Sequence, residues 1–194
     1  MTLVLACITK HDKIIVKSDR RTIDDSNSII SDKAEKIITI NSRCILGFAG
    51  YVKCCNEVLS YLYNQNPTRE KWYPEDIFSA AFLYRVMNPS IKKMEMLVCG
   101  FMKNNKPILL TFASDTNTRI LYPKDTKCVQ LGLHYPECKI NFDEEDEQLI
   151  RDNMESFIVQ QSELNFGIGD KIQTEEIFLL ENFINKLKAE NTQK

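Results

Sequence analysis

The strongest constraint on this chain lies at its start. Met1-Thr2-Leu3-Val4-Leu5-Ala6-Cys7-Ile8 is an unbroken apolar run behind Thr2, and no charge occurs before Lys10. A strand that is apolar on both alternating faces is normally buried on both. Termini are usually frayed and solvated, so a first segment of this kind is expected to be tied into a core. Two explanations are open. Either a core strand happens to come first, or the N-terminus is catalytic, with Thr2 exposed by removal of Met1 and held on a central strand.

The pattern downstream is that of a β-rich chain interrupted by helices. Leu3 to Ile8 and Ile14 to Ser18 flank the polar turn His11-Asp12-Lys13, which predicts an opening hairpin. The cluster Asp19-Arg20-Arg21-Thr22 closes the second strand, and Ile23 to Ser31 reads as irregular. A strand is predicted within Lys33 to Ile40, and another over Cys44 to Gly50, where Gly47 and Gly50 suggest close backbone approach. Val52, Cys55, Val58, Leu59 and Leu62 fall on one helical face, ended by Asn64 to Pro67. Pro74, with Glu75 and Asp76 after it, opens a second helix that stops before Asn88-Pro89. Strands follow over Met94 to Met102, Pro107 to Ala113, Arg119 to Tyr122 and Lys127 to Leu131. Asp143 is the expected N-cap of a third helix striped by Leu149, Ile150, Met154, Phe157 and Ile158. Ile172 to Leu180 reads as a strand or as the start of a helix. Segregated runs of strands and helices predict an α+β fold. With no internal repeat or linker, residues 1–194 are expected to form a single domain.

Composition removes several function classes. A net charge of −2 gives no reason to expect nucleic acid or an anionic membrane as partner. No apolar run reaches the length of a membrane span, and the first residues lack the charge and length of a secretory signal. Seven scattered cysteines without CxxC spacing suit a reducing, cytoplasmic compartment. His11 and His134 are the only histidines, so neither a zinc site nor a Cys/His thiol hydrolase is expected, and no cofactor is implied. The acidic run Asp143 to Glu147 lacks the ligand alternation and glycine of a calcium loop.

A threonine hydroxyl needs a base beside it, and an N-terminal threonine carries one in its own α-amine, whose ordinary pKa is about 8. Such a site also needs a fixed cation, an anion to hold that cation, and backbone N–H groups for a developing oxyanion. Candidates are present in order: Asp19, then Lys33 or Lys36, then Gly47.

Taken together, Thr2-Leu-Val-Leu-Ala, Ser18-Asp19-Arg20-Arg21-Thr22, Lys36-Ile37 and Leu46-Gly47-Phe48-Ala49-Gly50 resemble the proteasome β-subunit family, including its HslV-type members. The agreement covers residues 2 to about 60 and includes a helix directly after the glycine-containing strand. The resemblance implies an αββα four-layer sandwich of the N-terminal nucleophile hydrolase type. It implies Thr2 as nucleophile and free amine, Asp19 paired to Lys36, and the Gly47 N–H in the oxyanion hole. Lys33 stays open as a substitute for Lys36, because Lys36 requires one extra residue after Asp19. Thr22, Ile45 and Ala49 match the first specificity pocket and would favour an uncharged side chain beside the scissile bond. The implied substrate is a peptide or protein, and the implied assembly a homo-oligomeric ring, with helices 52–63 and 75–87 between subunits. No ATPase partner can be identified.

The second half departs from the family. Leu131-Gly132-Leu133-His134 stands where the family has Gly-Ser-Gly, so Leu133 replaces a supporting serine region. Asn165 and Ile168 stand where an aspartate and a serine precede the closing strand. Three outcomes therefore stay open: an active threonine peptidase or related acyl-transfer enzyme, a catalytically silent proteasome-like subunit with an assembly or binding role, and a fold-only resemblance with unrelated function.

Overall fold

The computed structural model describes residues 2–113, 128–132, 136–139 and 146–179. The first sheet has the order β10-β2-β1-β9, with β1 (Leu3–Ile8), β2 (Ile14–Asp19), β9 (Cys128–Gly132) and β10 (Ile172–Ile177). The second has the order β5-β6-β7-β8, with β5 (Ile37–Asn41), β6 (Cys44–Gly50), β7 (Met94–Phe101) and β8 (Pro107–Ala113). All these pairings are antiparallel.

Three apolar clusters define four layers. Val4, Ala6, Ile14 and Val16 meet Ile45, Leu97, Cys99 and Phe101 between the two sheets. Leu3, Leu5, Cys7 and Ile15 face the other way, onto Ile150, Met154 and Ile158 of α3 (Glu147–Leu164). Leu46, Phe48, Met96 and Val98 face α1 (Val52–Gln65) and α2 (Pro74–Met87). The order is helix, sheet, sheet, helix, as the resemblance implies. Burial on both faces of β1 follows directly: alternate residues enter different cores, and Leu3 through Cys7 are fully buried. Among the described residues no helix is long and apolar enough to cross a membrane.

Several expectations change. The segment read as irregular contains a small sheet, β3 (Thr22–Ile23) against β4 (Ile29–Ser31), with a register shift that no periodicity signals. The strand expected within Lys33 to Ile40 begins at Ile37. Val52 is exposed although it shares the α1 stripe, because it sits at the helix start. The described part of α3 begins at Glu147, with Asp146 as N-cap accepting from the Gln148 N–H. Asp143, the strand expected at Arg119 to Tyr122 and His134 lie outside the described residues. The tail segment open between strand and helix is a strand over Ile172–Ile177.

At the hairpin end of the first sheet, Glu176 accepts from Arg151 Nε at 2.6 Å and pairs with Lys13 Nζ at 2.7 Å. The hydrogen bond from Arg151, helped by Lys13 and opposed by burial, holds the Glu176 carboxyl down at about 2. A carboxyl depressed in the fold adds stability above its ordinary value near 4.5. That stability drains away as pH falls toward the folded value. The pair is partly exposed, so screening reduces its worth. Glu176→Gln is expected to cost about 1–2 kcal/mol at pH 7 and little at pH 2–3, read from urea denaturation at the two pH values.

Candidate active site

Asp19, at the end of β2, is fully buried, and its carboxylate is surrounded by donors. Oδ1 accepts from the Leu3 N–H at 2.8 Å, and Oδ2 from the Arg21 N–H at 3.0 Å and the Gly169 N–H at 3.1 Å. Lys36 Nζ reaches both oxygens, at 2.9 and 2.8 Å. Burial pulls the Lys36 ammonium below its ordinary pKa, and the charge of Asp19 opposes the fall. A buried ion pair is stable only when the remaining hydrogen-bonding capacity is met. Here three backbone N–H groups complete the carboxylate.

Lys36 lies just before β5, and its backbone is gripped from two sides. Its N–H donates to Gln173 Oε1 at 3.1 Å, and its carbonyl accepts from the Phe48 N–H at 2.9 Å. Gln173 also bonds the Ile37 N–H and carbonyl, so one side-chain amide stitches β10 to β5 across the sheets. Lys33 is exposed, with its carbonyl bound by Arg20 Nη2. Of the two lysines, Lys36 is the one that meets Asp19.

Thr2 is about nine-tenths buried and precedes the nitrogen that donates to Asp19. Strand alternation puts it on the face of Val4 and Ala6, toward the second sheet. Its carbonyl is pressed against Gly132, where an added Cβ would lie 2.0 Å from the Thr2 oxygen and 3.3 Å from Ala49 Cβ. Among the described residues both side-chain hydrogen bonds of Lys36 go to Asp19 rather than to Thr2.

Gly47 lies opposite Val4, and a Cβ there would meet Val4 Cγ1 at 3.1 Å. Its N–H direction follows from the ladder. The Arg43 carbonyl bonds Phe101 and the Tyr51 N–H bonds Lys93, so odd-numbered residues of β6 point their backbone groups at β7. Gly47 therefore faces Leu97, while Phe48 faces the β5 edge. An oxyanion role for Gly47 needs that pair to part. Ile45 and Ala49 line the inter-sheet face, both buried. Thr22 sits in β3 instead, with its hydroxyl donating to the Ser31 carbonyl at 3.5 Å.

The supporting positions are put to other uses. Asn165 caps the end of α3 and donates from Nδ2 to Gln161. Ile168 is buried in the core beneath α3. Leu133 lies outside the described residues.

Several residues were not singled out from sequence. Arg21 binds Asp32 at 2.7 Å and the Phe166 and Ile168 carbonyls, which fastens the Gly169 loop over Asp19. Among the described residues, Ser18 Oγ is buried without a hydrogen-bond partner, on the inter-sheet face opposite Val4. Glu95 Oε2 accepts from the Gly132 N–H at 2.8 Å. Its signal was a lone charge in Met94–Phe101, a strand otherwise free of charge. Among the described residues no group of His, Cys, Asp and Glu gathers as a metal site.

The fold is an α+β sandwich of the N-terminal nucleophile hydrolase type. The chain is similar to the eukaryotic HslV of Trypanosoma brucei, with 15% identity, a TM-score of 0.63, and coverage of 92% of this chain and 100% of that one. It is also similar to a Gly-1 mutant of Anbu from Hyphomicrobium sp. strain MC1, with 15% identity, a TM-score of 0.70, and coverage of 100% and 96%. No family model matches the sequence, and no curated protein matches it.

Proposed function

We propose that this chain is a proteasome-like threonine hydrolase of peptides or proteins, with Thr2 as nucleophile after removal of Met1. The observation that carries the proposal is the buried Lys36–Asp19 pair, anchored through the Leu3 N–H to the residue next to Thr2. In this mechanism the α-amine, directly or through a water, takes the proton of Thr2 Oγ1 as the oxygen attacks the scissile carbonyl carbon. The ammonium then gives a proton to the departing amine, leaving an ester on Thr2. Water resolves the ester in hydrolysis, and an amine resolves it in transpeptidation. Lys36 supplies fixed positive charge near the hydroxyl, and Asp19 holds that charge in place. Gly47 would serve the oxyanion once its N–H leaves Leu97. Thr22, Ile45 and Ala49 would receive an uncharged substrate side chain.

A homo-oligomeric ring in the cytoplasm belongs to the same proposal. Val52 of α1 and Leu83, Val86 and Met87 of α2 are exposed apolar groups suited to contact between subunits. The second reading, a silent subunit kept for assembly, is favoured by the ladder position of Gly47 and by the capping and core roles of Asn165 and Ile168.

The test begins with intact mass, where the active form lacks Met1. Thr2→Ala is expected to lower peptide turnover at least about 10³-fold and to abolish labelling by an electrophilic threonine probe. Unchanged turnover removes the enzyme reading. An oligomer on size exclusion that shows neither turnover nor labelling is the silent subunit.

A further inference from the structure

We propose that Gln173 is the positioning residue that sets Lys36, acting from β10 of the first sheet on the main chain that carries the lysine. Its part in the reaction rests on the threonine reading of this site, whereas its hold on Lys36 does not.

Asp19 and Lys36 belong to different halves of the sandwich. Asp19 ends β2 in the first sheet, and Lys36 leads into β5 of the second. The covalent path between them is a poor spacer. It runs out through the β3–β4 hairpin, where the pairing slips and Ile29 and Ile30 stand exposed. Arg20 braces the returning chain, with Nη2 on the Lys33 carbonyl and its own carbonyl accepting from the Ala34 N–H. That brace ends at Ala34, and Gln173 takes over beyond it.

The place of Gln173 in β10 makes it a short bridge. It pairs directly with Ser18, the neighbour of Asp19, and Ile172 pairs with Asp19 itself. Strand alternation puts Gln173 on the face of Ile177, which enters the inter-sheet core. From that face Oε1 accepts from the Lys36 and Ile37 N–H groups at 3.1 and 3.3 Å, and Nε2 donates to the Ile37 carbonyl at 2.8 Å. A side-chain amide carries the donor and acceptor of a peptide group. At Ile37 it serves as a neighbouring strand would, since among the described residues β5 is an edge of its sheet. On the opposite side the Phe48 N–H holds the Lys36 carbonyl.

A lysine has a long flexible stem, which does not place its ammonium unaided. Fixing the backbone beneath that stem removes part of the freedom before Asp19 is met. Thr39 Oγ1 and Glu175 Oε2, 3.0 Å apart, tie the same two strands further along, at Thr39 rather than at Lys36. That second rung separates a general tie between β5 and β10 from a specific hold on the lysine.

Two variants test the proposal. Gln173→Met keeps the length of the side chain and removes its hydrogen bonds, and Gln173→Asn keeps the amide and shortens its reach. The readout is acetylation by acetic anhydride at fixed pH, followed lysine by lysine by mass spectrometry. Lys33 is exposed and serves as the reference for reagent, and buried Lys17 as the reference for global opening. Both variants are expected to raise Lys36 labelling about tenfold by local opening, with Lys33 and Lys17 unchanged. Glu175→Ala, which cuts only the second rung, is expected to leave Lys36 at the parent rate. Gln173→Met is also expected to lower kcat about tenfold with KM little changed, because the displaced charge acts in the transition state. Lys36 labelling at the parent rate in both Gln173 variants overturns the inference. So does an equal rise in Glu175→Ala, which would reduce Gln173 to one of two structural ties, and so does a Thr2-dependent turnover that ignores Gln173→Met. A rise confined to the Gln173 variants, in a chain whose turnover survives Thr2→Ala, supports the hold on Lys36 and removes the hydrolase.

Discussion

Asp19→Ala is expected to destabilise the protein by about 3–5 kcal/mol, the range for removing one partner of a buried ion pair. The loss has two parts. Lys36 would have either to bear an unpaired charge or to give up its proton in a site of 6% exposure, with neither of its hydrogen bonds. The N–H groups of Leu3, Arg21 and Gly169 would lose their common acceptor. The measurement is urea denaturation at pH 7, with the variant midpoint well below that of the parent. Lys36→Met alone is expected to be costly for the reciprocal reason, a carboxylate stripped of its cation. The double variant Asp19→Leu with Lys36→Met should recover part of the loss, because a well-packed apolar pair often equals a buried ion pair. Recovery of stability without recovery of turnover would mark the pair as kept for chemistry. A near-native stability for Asp19→Ala alone would show that the pair is not the anchor described above.

Gly132→Ala carries the second large expected effect, about 2–5 kcal/mol. Its backbone has φ +83°, a conformation that costs a side chain about 1–2 kcal/mol. The new Cβ would also fall 2.0 Å from the Thr2 carbonyl oxygen, a backbone atom that no rotamer change can move. Overpacking of this kind adds about 1–3 kcal/mol. Either β9 must draw away from β1 or the N-terminal residues must shift. A thermal scan should show a fall of about 10 °C for a chain of this length. Peptide turnover should fall further than stability accounts for, since Thr2 is the group displaced. An unaltered melting temperature would contradict the close approach of Gly132 to Thr2.

Much of the architecture was legible because the burial pattern is repetitive. Leu3 to Ile8 reads as a strand from its apolar run, and it is one, with its alternate residues in separate cores. The α1 stripe of Cys55, Val58 and Leu62 is legible for the same reason. Asp19 and Lys36 were legible as types in order, and their pairing was legible only through the family resemblance, which left Lys33 open as a substitute. The choice between Lys33 and Lys36 depends on how the chain folds through β3 and β4, where the pairing slips by a residue. Glu95 was hidden by its own strand: one charge among Met94, Met96, Leu97 and Val98 does not disturb a strand pattern. The role of Gly169 needed three dimensions, since the N–H it gives Asp19 comes from 150 residues away.

That separation has a consequence for when the site can exist. The carboxylate of Asp19 is completed by positions 3, 21, 36 and 169, nearly the whole described chain. Closing so long a loop is entropically slow and must precede the contacts that reward it. A polypeptide emerging from the ribosome can form the β1–β2 hairpin early, yet its carboxylate waits for the last strand region. On the threonine reading the site would therefore be complete only when the fold is, which keeps a half-made chain from carrying a formed centre.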